Sequence, residues 1–459
     1  MTLQSPVYLI GIGGSGMSAI ARLLLERGVA VSGSDRQPSA LTESLRAAGA
    51  KVFIGHHAEN VQGAALVVRS SAVRDDNPEV IAARQQGVAV LKRSEFLGQL
   101  IGEQASIAVA GSHGKSTTTA MIAWMLTSLG QDPAYIIGGI SSNLRTNAHA
   151  GRGTHFVIEA DEYDGMFLGL RPTLAVVTNI EHDHPDLYPT PEDFYQAFVG
   201  FSRCIRPGGT LLACQDDPGA ARLLAECAAA GIHTLAYGQD TLENVAPNQK
   251  GGFDARCHLP SGSCRFSLQI SGRHNLLNAL AALNVAGLLG LPLEKAAAAL
   301  DEFSGTGRRF DVRGVAGGVT VIDDYAHHPT HIRATLAAAR SRYPGQRIWA
   351  VWQPHTYSRT RTLLVDYAMA FAEADRVLVT EVYPAREPAP SDGFSARQVV
   401  KAMPHMAVEF VPTIPQATTR LLASLQEGDV VLVLSAGDAD QISAQILVAL
   451  ETGHSSTGG

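Results

Sequence analysis

Ala105–Thr119, ASIAVAGSHGKSTTT, decides how the rest of the chain is read. Ile107-Ala108-Val109-Ala110 is a short apolar run of the kind that forms a buried strand. From Thr117 onward (TTTAMIAWMLTSLG) apolar residues recur at helical spacing. Between the two stand Gly111, Ser112, His113, Gly114, Lys115 and Ser116. Strand, glycine loop and helix form the context in which backbone N–H groups and a helix N-terminus hold phosphate. Gly111 and Gly114 let the backbone approach the oxygens, Lys115 supplies a mobile positive charge, and the Ser116 hydroxyl suits Mg²⁺. The usual phosphate loop carries one more glycine, where Val109 stands, so the match is to a shortened loop. An ordinary glycine turn is the plainer alternative. The flanking strand, the following helix and the paired glycines favour an ATP site over it.

A chain of 459 residues has room for about three domains. Its net charge of −7 and the lack of a basic block argue against a nucleic-acid partner. Only six lysines occur, so finding Lys115 in the glycine loop is hard to put down to chance. The cysteines (Cys204, Cys214, Cys227, Cys257, Cys264) have neither CxxC nor metal-ligand spacing and read as reduced thiols of a cytoplasmic protein. No run resembles a signal peptide or reaches the length of a membrane span, and residues 453–459 read as a frayed tail.

The first segment, 1–103, opens with VYLIGIGGSGMSAIARLLLERG: a strand, then Gly11-x-Gly13-x-x-Gly16, then an amphipathic helix. A second strand, Val29–Ser32, leads to Asp35. This is the dinucleotide fingerprint, in which glycines admit a pyrophosphate and the acid meets a ribose. The pattern does not separate NAD from a UDP-linked ligand. Strand-like runs at Lys51–Ile54, Ala65–Ser70 and Val88–Leu91 alternate with helical patterns and imply a parallel sheet.

In the second segment, 104–307, HFVIEADEYD delivers Glu159, Asp161, Glu162 and Asp164 at a strand end. LAVVTNIEHDHPD delivers Glu181, His182, Asp183 and His184 in the same way. Strand C-termini of open parallel sheets carry the ligand sites, so both clusters are expected to face the glycine loop. Carboxylates with one imidazole beside phosphate read as Mg²⁺ ligands. Glu159 and His184 are the stronger candidates; Glu162, Asp164, Glu181 and His182 read more readily as solvated loop. Gly251–Ile270 has no helical period and reads as a small β excursion, followed by a helix with His274, Asn275 and Asn278 near its start. Gly305–Arg309 is the expected hinge into the third segment, 308–459, where the βα rhythm resumes. Asp323, Asp324, Tyr325, His327 and His328 cap one of its strands; His355, Arg359 and Arg361 cap another. Grouped arginines suit a carboxylate or phosphate.

Taken together, GIGGSGMS, SGSD, GSHGKSTTT, EADEYD, TNIEHDH, GRHNLLNALAA, GTGRRFD, DDYAHHP and QPHTYSRTR, in this order, resemble the Mur ligase family. These are the ATP-dependent amino acid ligases of peptidoglycan synthesis, and the similarity spans nearly the whole chain. The resemblance implies an α/β protein of three domains: a Rossmann-like N-terminal domain for a UDP-sugar (1–103), a central P-loop-type ATPase domain with a parallel sheet (104–307), and a Rossmann-like C-terminal domain (308–459). The last closes over ATP and brings the amino acid.

Carried over by position, the resemblance puts Gly111, Ser112, His113, Gly114, Lys115, Ser116 and Thr117 around the ATP phosphates. Ser116 (commonly Thr in the family), Glu159 and His184 hold Mg²⁺. His274 and Asn275 lie by the nucleotide, with Asn278 supporting that helix start, and Arg309 and Asp324 reach ATP across the hinge. Gly11, Gly13, Gly14, Ser15, Gly16, Asp35, His56, Ser70 and Ser71 bind the UDP part. Tyr325, His327, His355 and Arg359 surround the joining carboxylate and the amino acid. No lysine lies between Lys115 and Lys250, which excludes the carbamylated lysine of later pathway ligases and agrees with the alanine-adding branch. Thr356 stands where that branch often has arginine, leaving Arg359 and Arg361 as the carboxylate binders.

The implied substrates are UDP-N-acetylmuramate and L-alanine, joined through an acyl phosphate with release of ADP and phosphate. The implied protein is a cytoplasmic monomer or weak homodimer with no membrane or nucleic-acid partner. Lys115, Glu159, His184, Asp324 and His327 carry the chemistry, and the amine's proton goes to His327, His355 or Asp324. Two alternatives stand beside this reading: a recycling ligase that attaches a preformed tripeptide to the same UDP-sugar, and an NAD-dependent oxidoreductase built on Gly11–Asp35.

Overall fold

The run before the first glycines forms β1 (Val7–Ile10), buried at every position because strands flank it on both sides. With β2 (Val31–Asp35), β3 (Lys51–Ile54), β4 (Leu66–Arg69) and β5 (Ala89–Lys92) it makes a wholly parallel sheet in the order β3-β2-β1-β4-β5. The order reverses between β1 and β4, the place where such sheets open a crevice at their C-terminal edge. Gly11–Gly16 follow β1 and Ser70-Ser71 follow β4, so the expected UDP set straddles that crevice. This computed structural model describes residues 5–385 and 387–454, and most of the tail read as frayed, 455–459, lies outside the described residues.

The glycine loop follows β6 (Ala105–Ala110), which is central in a second sheet with β7 (Ala134–Ile136), β8 (Ala148–His149), β9 (His155–Glu159), β10 (Leu174–Val177), β11 (Thr210–Cys214) and β12 (His233–Tyr237). The order is β12-β11-β10-β6-β9-β7-β8, parallel except for β8 at the edge. The strands that carry the two acidic clusters, β9 and β10, are thus the two neighbours of β6. The helix after the loop runs Lys115–Ser128, starting earlier than the apolar period suggests because a helix's first turn need not be apolar.

The β excursion is a three-stranded antiparallel sheet, β13 (Leu242–Pro247), β14 (Phe253–Leu259) and β15 (Gly262–Ser267). It begins before Gly251. Alternate residues of β14 (Phe253, Ala255, Cys257, Leu259) are buried among residues of the helices His274–Leu288 and Leu293–Asp301. The last sheet contains β16 (Asp311–Ala316), β17 (Val319–Asp324), β18 (Ile348–Gln353), β19 (Arg376–Val379), β20 (Val408–Phe410) and β21 (Val430–Ser435), ordered β16-β17-β21-β18-β19-β20. Only β16 is antiparallel.

The cores divide unevenly. One apolar cluster runs from Val7 and Leu9 through Phe96 and Leu100 to Phe167 and Phe198, fusing the first sheet to one face of the second. The third sheet has apolar clusters of its own on both faces, built from residues at 319 and beyond with Phe310 at the margin. Among the described residues, no helix is long and apolar enough to cross a membrane.

Candidate active site

The loop after β6 can be made only of glycine at its two bends. Gly111 has φ +140°, and a Cβ there would lie 2.0 Å from Thr178 Oγ1. Gly114 has φ +80°, and its Cβ would lie 2.7 Å from Asn278 Oδ1. Between them the loop is stapled to the end of β10. The Ser112 hydroxyl donates to the Glu181 carbonyl (2.6 Å), the His113 N–H donates to Asn179 Oδ1 (2.8 Å), and Thr178 Oγ1 donates to the His113 carbonyl (2.6 Å). Helix Lys115–Ser128 starts without a side-chain cap, so the first-turn N–H groups are left for an anion.

Lys115 Nζ donates to the Gly111 carbonyl (2.6 Å) and to both oxygens of Glu162 (2.8 and 3.0 Å). Glu162 is only 1% exposed, which corrects its reading as a solvated loop residue: a buried carboxylate needs a partner, and Lys115 is that partner. Burial pushes Glu162 up, but the Lys115 and His184 charges outweigh it and hold the carboxyl at about 2. Burial likewise favours a neutral Lys115, and Glu162, Asp161 and Glu159 overcome it and raise the amine. Glu181 also departs from the solvated reading. It accepts from His113 Nε2 (2.9 Å) and from the Thr330 hydroxyl (2.6 Å).

Glu159 Oε2 accepts from the Gly138 N–H (2.7 Å), and His184 Nε2 lies 3.5 Å from Glu162 Oε1. Hard oxygens of Ser116, Glu159 and Glu162 with one imidazole fit Mg²⁺ by donor chemistry. A cavity of about 500 Å³ opens beside the loop. It is lined by His113, Gly114, Ser116, Thr117, His274, Asn275 and Asn278, and from across the chain by Arg309 and Asp324, all expected around ATP. Gly111, Ser112 and Lys115, also expected there, are not among its lining residues. Arg309 Nη2 is 3.5 Å from Ser116 Oγ, and its guanidinium lies over the Tyr325 ring at 4.9 Å. Asn278 is a strut: it accepts from Thr118 Oγ1 (3.1 Å) and donates to Asn275 (2.9 Å), tying two helices together. Burial lowers His274 to about 4, so it is a neutral ring.

Asp324 accepts from the N–H groups of Phe310 and Ala326 (both 2.7 Å), and burial, only partly offset by Arg309, raises it to about 6. His327 Nδ1 meets the Tyr325 carbonyl at 2.9 Å, and burial with the Arg359 charge lowers this ring to about 4. Because a carbonyl can only accept, Nδ1 carries the proton and Nε2 the lone pair.

Arg359 is 2% exposed, and its Nε donates to Asp183 Oδ1 (2.6 Å). Its other nitrogens lie 3.1 Å from His355 Nδ1 and 3.2 Å from His184 Nδ1. Asp183 also stands 3.8 Å from His327 Nε2. This buried aspartate, at the centre of a ring of expected site residues, carries no signal in the sequence beyond its position between His182 and His184. Arg361 does not join the group. It is exposed and forms a bidentate pair with Asp392 (2.7 and 2.9 Å), because the short helix Tyr357–Thr362 turns it to the opposite side from Arg359.

At the first crevice, Asp35 Oδ2 accepts from the Gly13 N–H (2.8 Å) and Oδ1 from the Arg36 N–H (2.8 Å), so the acid expected on a ribose shapes its own glycine loop. Gly16 leaves room for Arg93, which would otherwise lie 2.2 Å from its Cβ; Arg93 goes on to pair with Asp161 of the second segment (3.2 Å). His56 faces inward to buried Glu79 (3.0 Å) and Ser34 (2.9 Å), and Ser71 is exposed at the rim.

The arrangement matches known proteins along nearly all of the chain. The descriptions Mur ligase family, catalytic domain (residues 6–105), Mur ligase middle domain (109–286) and Mur ligase, glutamate ligase domain (308–437) fit in sequence. A UDP-N-acetylmuramate–L-alanine ligase of Renibacterium salmoninarum is 45% identical over 97% of this chain and 96% of its own. The chain belongs to the Mur ligase family. Among solved members of that family, a UDP-N-acetylmuramate-alanine ligase of Thermotoga maritima superposes with a TM-score of 0.81 at 29% identity, covering 97% of this chain and 99% of that one. A murein peptide ligase of Psychrobacter arcticus gives 0.72 at 25% identity, over 97% and 98%. Against the Mur ligase background the residues that sequence reading undervalued are Glu162, Asp183 and His331. His331, which lines the cavity, contacts Asp324 (3.2 Å). Its spacing of three from His328 on one helical turn was its only signal.

Proposed function

We propose that the chain joins L-alanine to UDP-N-acetylmuramate at the expense of ATP, through an acyl phosphate, releasing ADP and phosphate for peptidoglycan synthesis in the cytoplasm. The observation that carries this reading is the convergence of the glycine loop, Glu159, Glu162 and His184 with Arg309, Asp324, His327 and Arg359 from the far end of the chain. We assign the first division, about 1–103, to the UDP-sugar, 104–307 to ATP and 308–459 to the amino acid.

The sugar carboxylate attacks the γ-phosphate in line, and Lys115 exchanges Glu162 for phosphate oxygens as the charge spreads. Mg²⁺, held by Ser116, Glu159 and His184, would screen that charge. The amine of alanine then attacks the acyl carbon and must lose a proton. His327 suits this step, since its Nε2 lone pair is free of the Tyr325 carbonyl and Asp183 stands ready to stabilise the imidazolium. An oxidoreductase reading would leave Lys115 and both acidic clusters without a task.

The test is phosphate release with UDP-N-acetylmuramate, ATP and Mg²⁺, comparing L-alanine, glycine, L-serine and an L-alanyl tripeptide. Alanine is expected to drive turnover. Release with the tripeptide alone would transfer the assignment to the recycling reaction, and no stimulation by any acceptor would end it.

A further inference from the structure

We propose that His113, Glu181 and His328 form a second metal site, separate from the Mg²⁺ donors, that takes a zinc-class divalent ion and clasps the third segment to the glycine loop. One nitrogen of each histidine and one oxygen of Glu181 lie within 4.8 Å of one another. Glu181 Oε2 is 2.9 Å from His113 Nε2 and 3.8 Å from His328 Nδ1. These two separations bracket the ligand–ligand edge of about 3.3 Å that tetrahedral bonds of zinc length require. Both edges that end on His328 cross between the second and third segments, so an ion held by all three residues would bridge them.

The surroundings orient the donors as metal sites do. His328 Nε2 donates to the His182 carbonyl (3.3 Å), which leaves Nδ1 with its lone pair toward Glu181. That atom also receives a long contact from the Thr330 N–H, at 3.4 Å. Glu181 Oε1 is held by the Thr330 hydroxyl (2.6 Å), itself held by Arg333 (2.9 Å), so Oε2 is the oxygen turned toward the two histidines, and an ion there replaces its contact with His113 Nε2. Burial and the nearby His113 hold His328 neutral, down at about 3. His331 is turned away to Asp324. Two imidazoles and one carboxylate select zinc-class ions over Mg²⁺, which prefers oxygen and retains water. His113 and Glu181 also line the large cavity, so the remaining coordination position faces water or nucleotide. An ion there would tie the loop to the third segment and slow the exchange of nucleotide.

The test is titration of the full chain with Co²⁺, then Zn²⁺, in millimolar Mg²⁺ without nucleotide. One ion per chain is expected, with the intense visible absorption of tetrahedral Co²⁺ that Zn²⁺ bleaches. H328A and E181Q should each abolish the band, and T330V should weaken binding by about tenfold. H328N, which keeps a polar side chain at the site, replaces H328A if alanine loosens the fold, and melting without metal checks each variant. No stoichiometric band in the natural protein, or a band that survives in both H328A and E181Q, overturns the site.

Discussion

Lys115 and Glu162 show how one residue's role is set by what it must leave. The ammonium is matched to a carboxylate that has almost no exposure of its own. Removing only Lys115 strands that carboxylate, at a cost of about 3–5 kcal/mol for a buried pair. K115A should therefore lose both ADP formation, by about 3 kcal/mol of barrier or more, and thermal stability. K115A/E162Q should regain the melting temperature while remaining inactive, and recovery of turnover in the double variant would deny Lys115 its phosphate. Asp324 carries the opposite sign. Its carboxyl, raised by burial to about 6 from an ordinary 3.8, keeps a proton in the folded chain that the unfolded chain has released. Stability should fall as pH rises from about 4 to 6, by up to about 3 kcal/mol, and stay lowered above that range. D324N should flatten this fall in a melting series against pH; an unchanged slope would reassign it.

At the scale of elements, the glycine loop is legible because its physics is local. Two bends that exclude a Cβ, a strand before and a helix after are all written within fifteen positions, Ala105–Thr119. G114A should lower nucleotide affinity at least tenfold, since its methyl must move Asn278, the strut between helices Lys115–Ser128 and His274–Leu288, and must hold a positive φ. Nucleotide titration by calorimetry checks this, and a variant of unchanged affinity would mean the bend is incidental. The acidic clusters were legible as strand ends for the same local reason. What the sequence hid was which members turn inward. Glu159 and Glu162, or Arg359 and Arg361, differ only by a turn of backbone, and their distant partners mark the difference: Lys115 and His184 beside Glu162, Asp183 beside Arg359. The sequence also did not show that Asp35 has a task within its own loop, where the Gly13 N–H takes one of its oxygens.

Across the whole molecule, the division of cores governs what can move. The first two sheets share an apolar cluster, whereas the third sheet keeps its own, and the links described above between its site residues and the loop are polar. Among these the Arg359–Asp183 pair is the most enclosed. Such an interface can part without exposing a core, which is the condition for closure over substrates. Burial raises Asp183, but Arg359 and His184 outweigh it and keep the carboxyl well below its ordinary range. The pair's contribution is thus complete above the ordinary aspartate range and fades only in stronger acid. D183N leaves Arg359 buried without a counter-charge, and opening hydrates it more cheaply than unfolding does. The loss should therefore appear as a shift of roughly 100-fold toward open forms rather than as collapse. X-ray scattering of D183N without ligands should give a larger radius of gyration than the natural chain. D183N/R359M, which removes both charges, should return it toward the natural value while staying inactive. An identical radius in all three would mean that the pair does not hold the segments together, and that the apparent latch is only a satisfied ion pair within a rigid body.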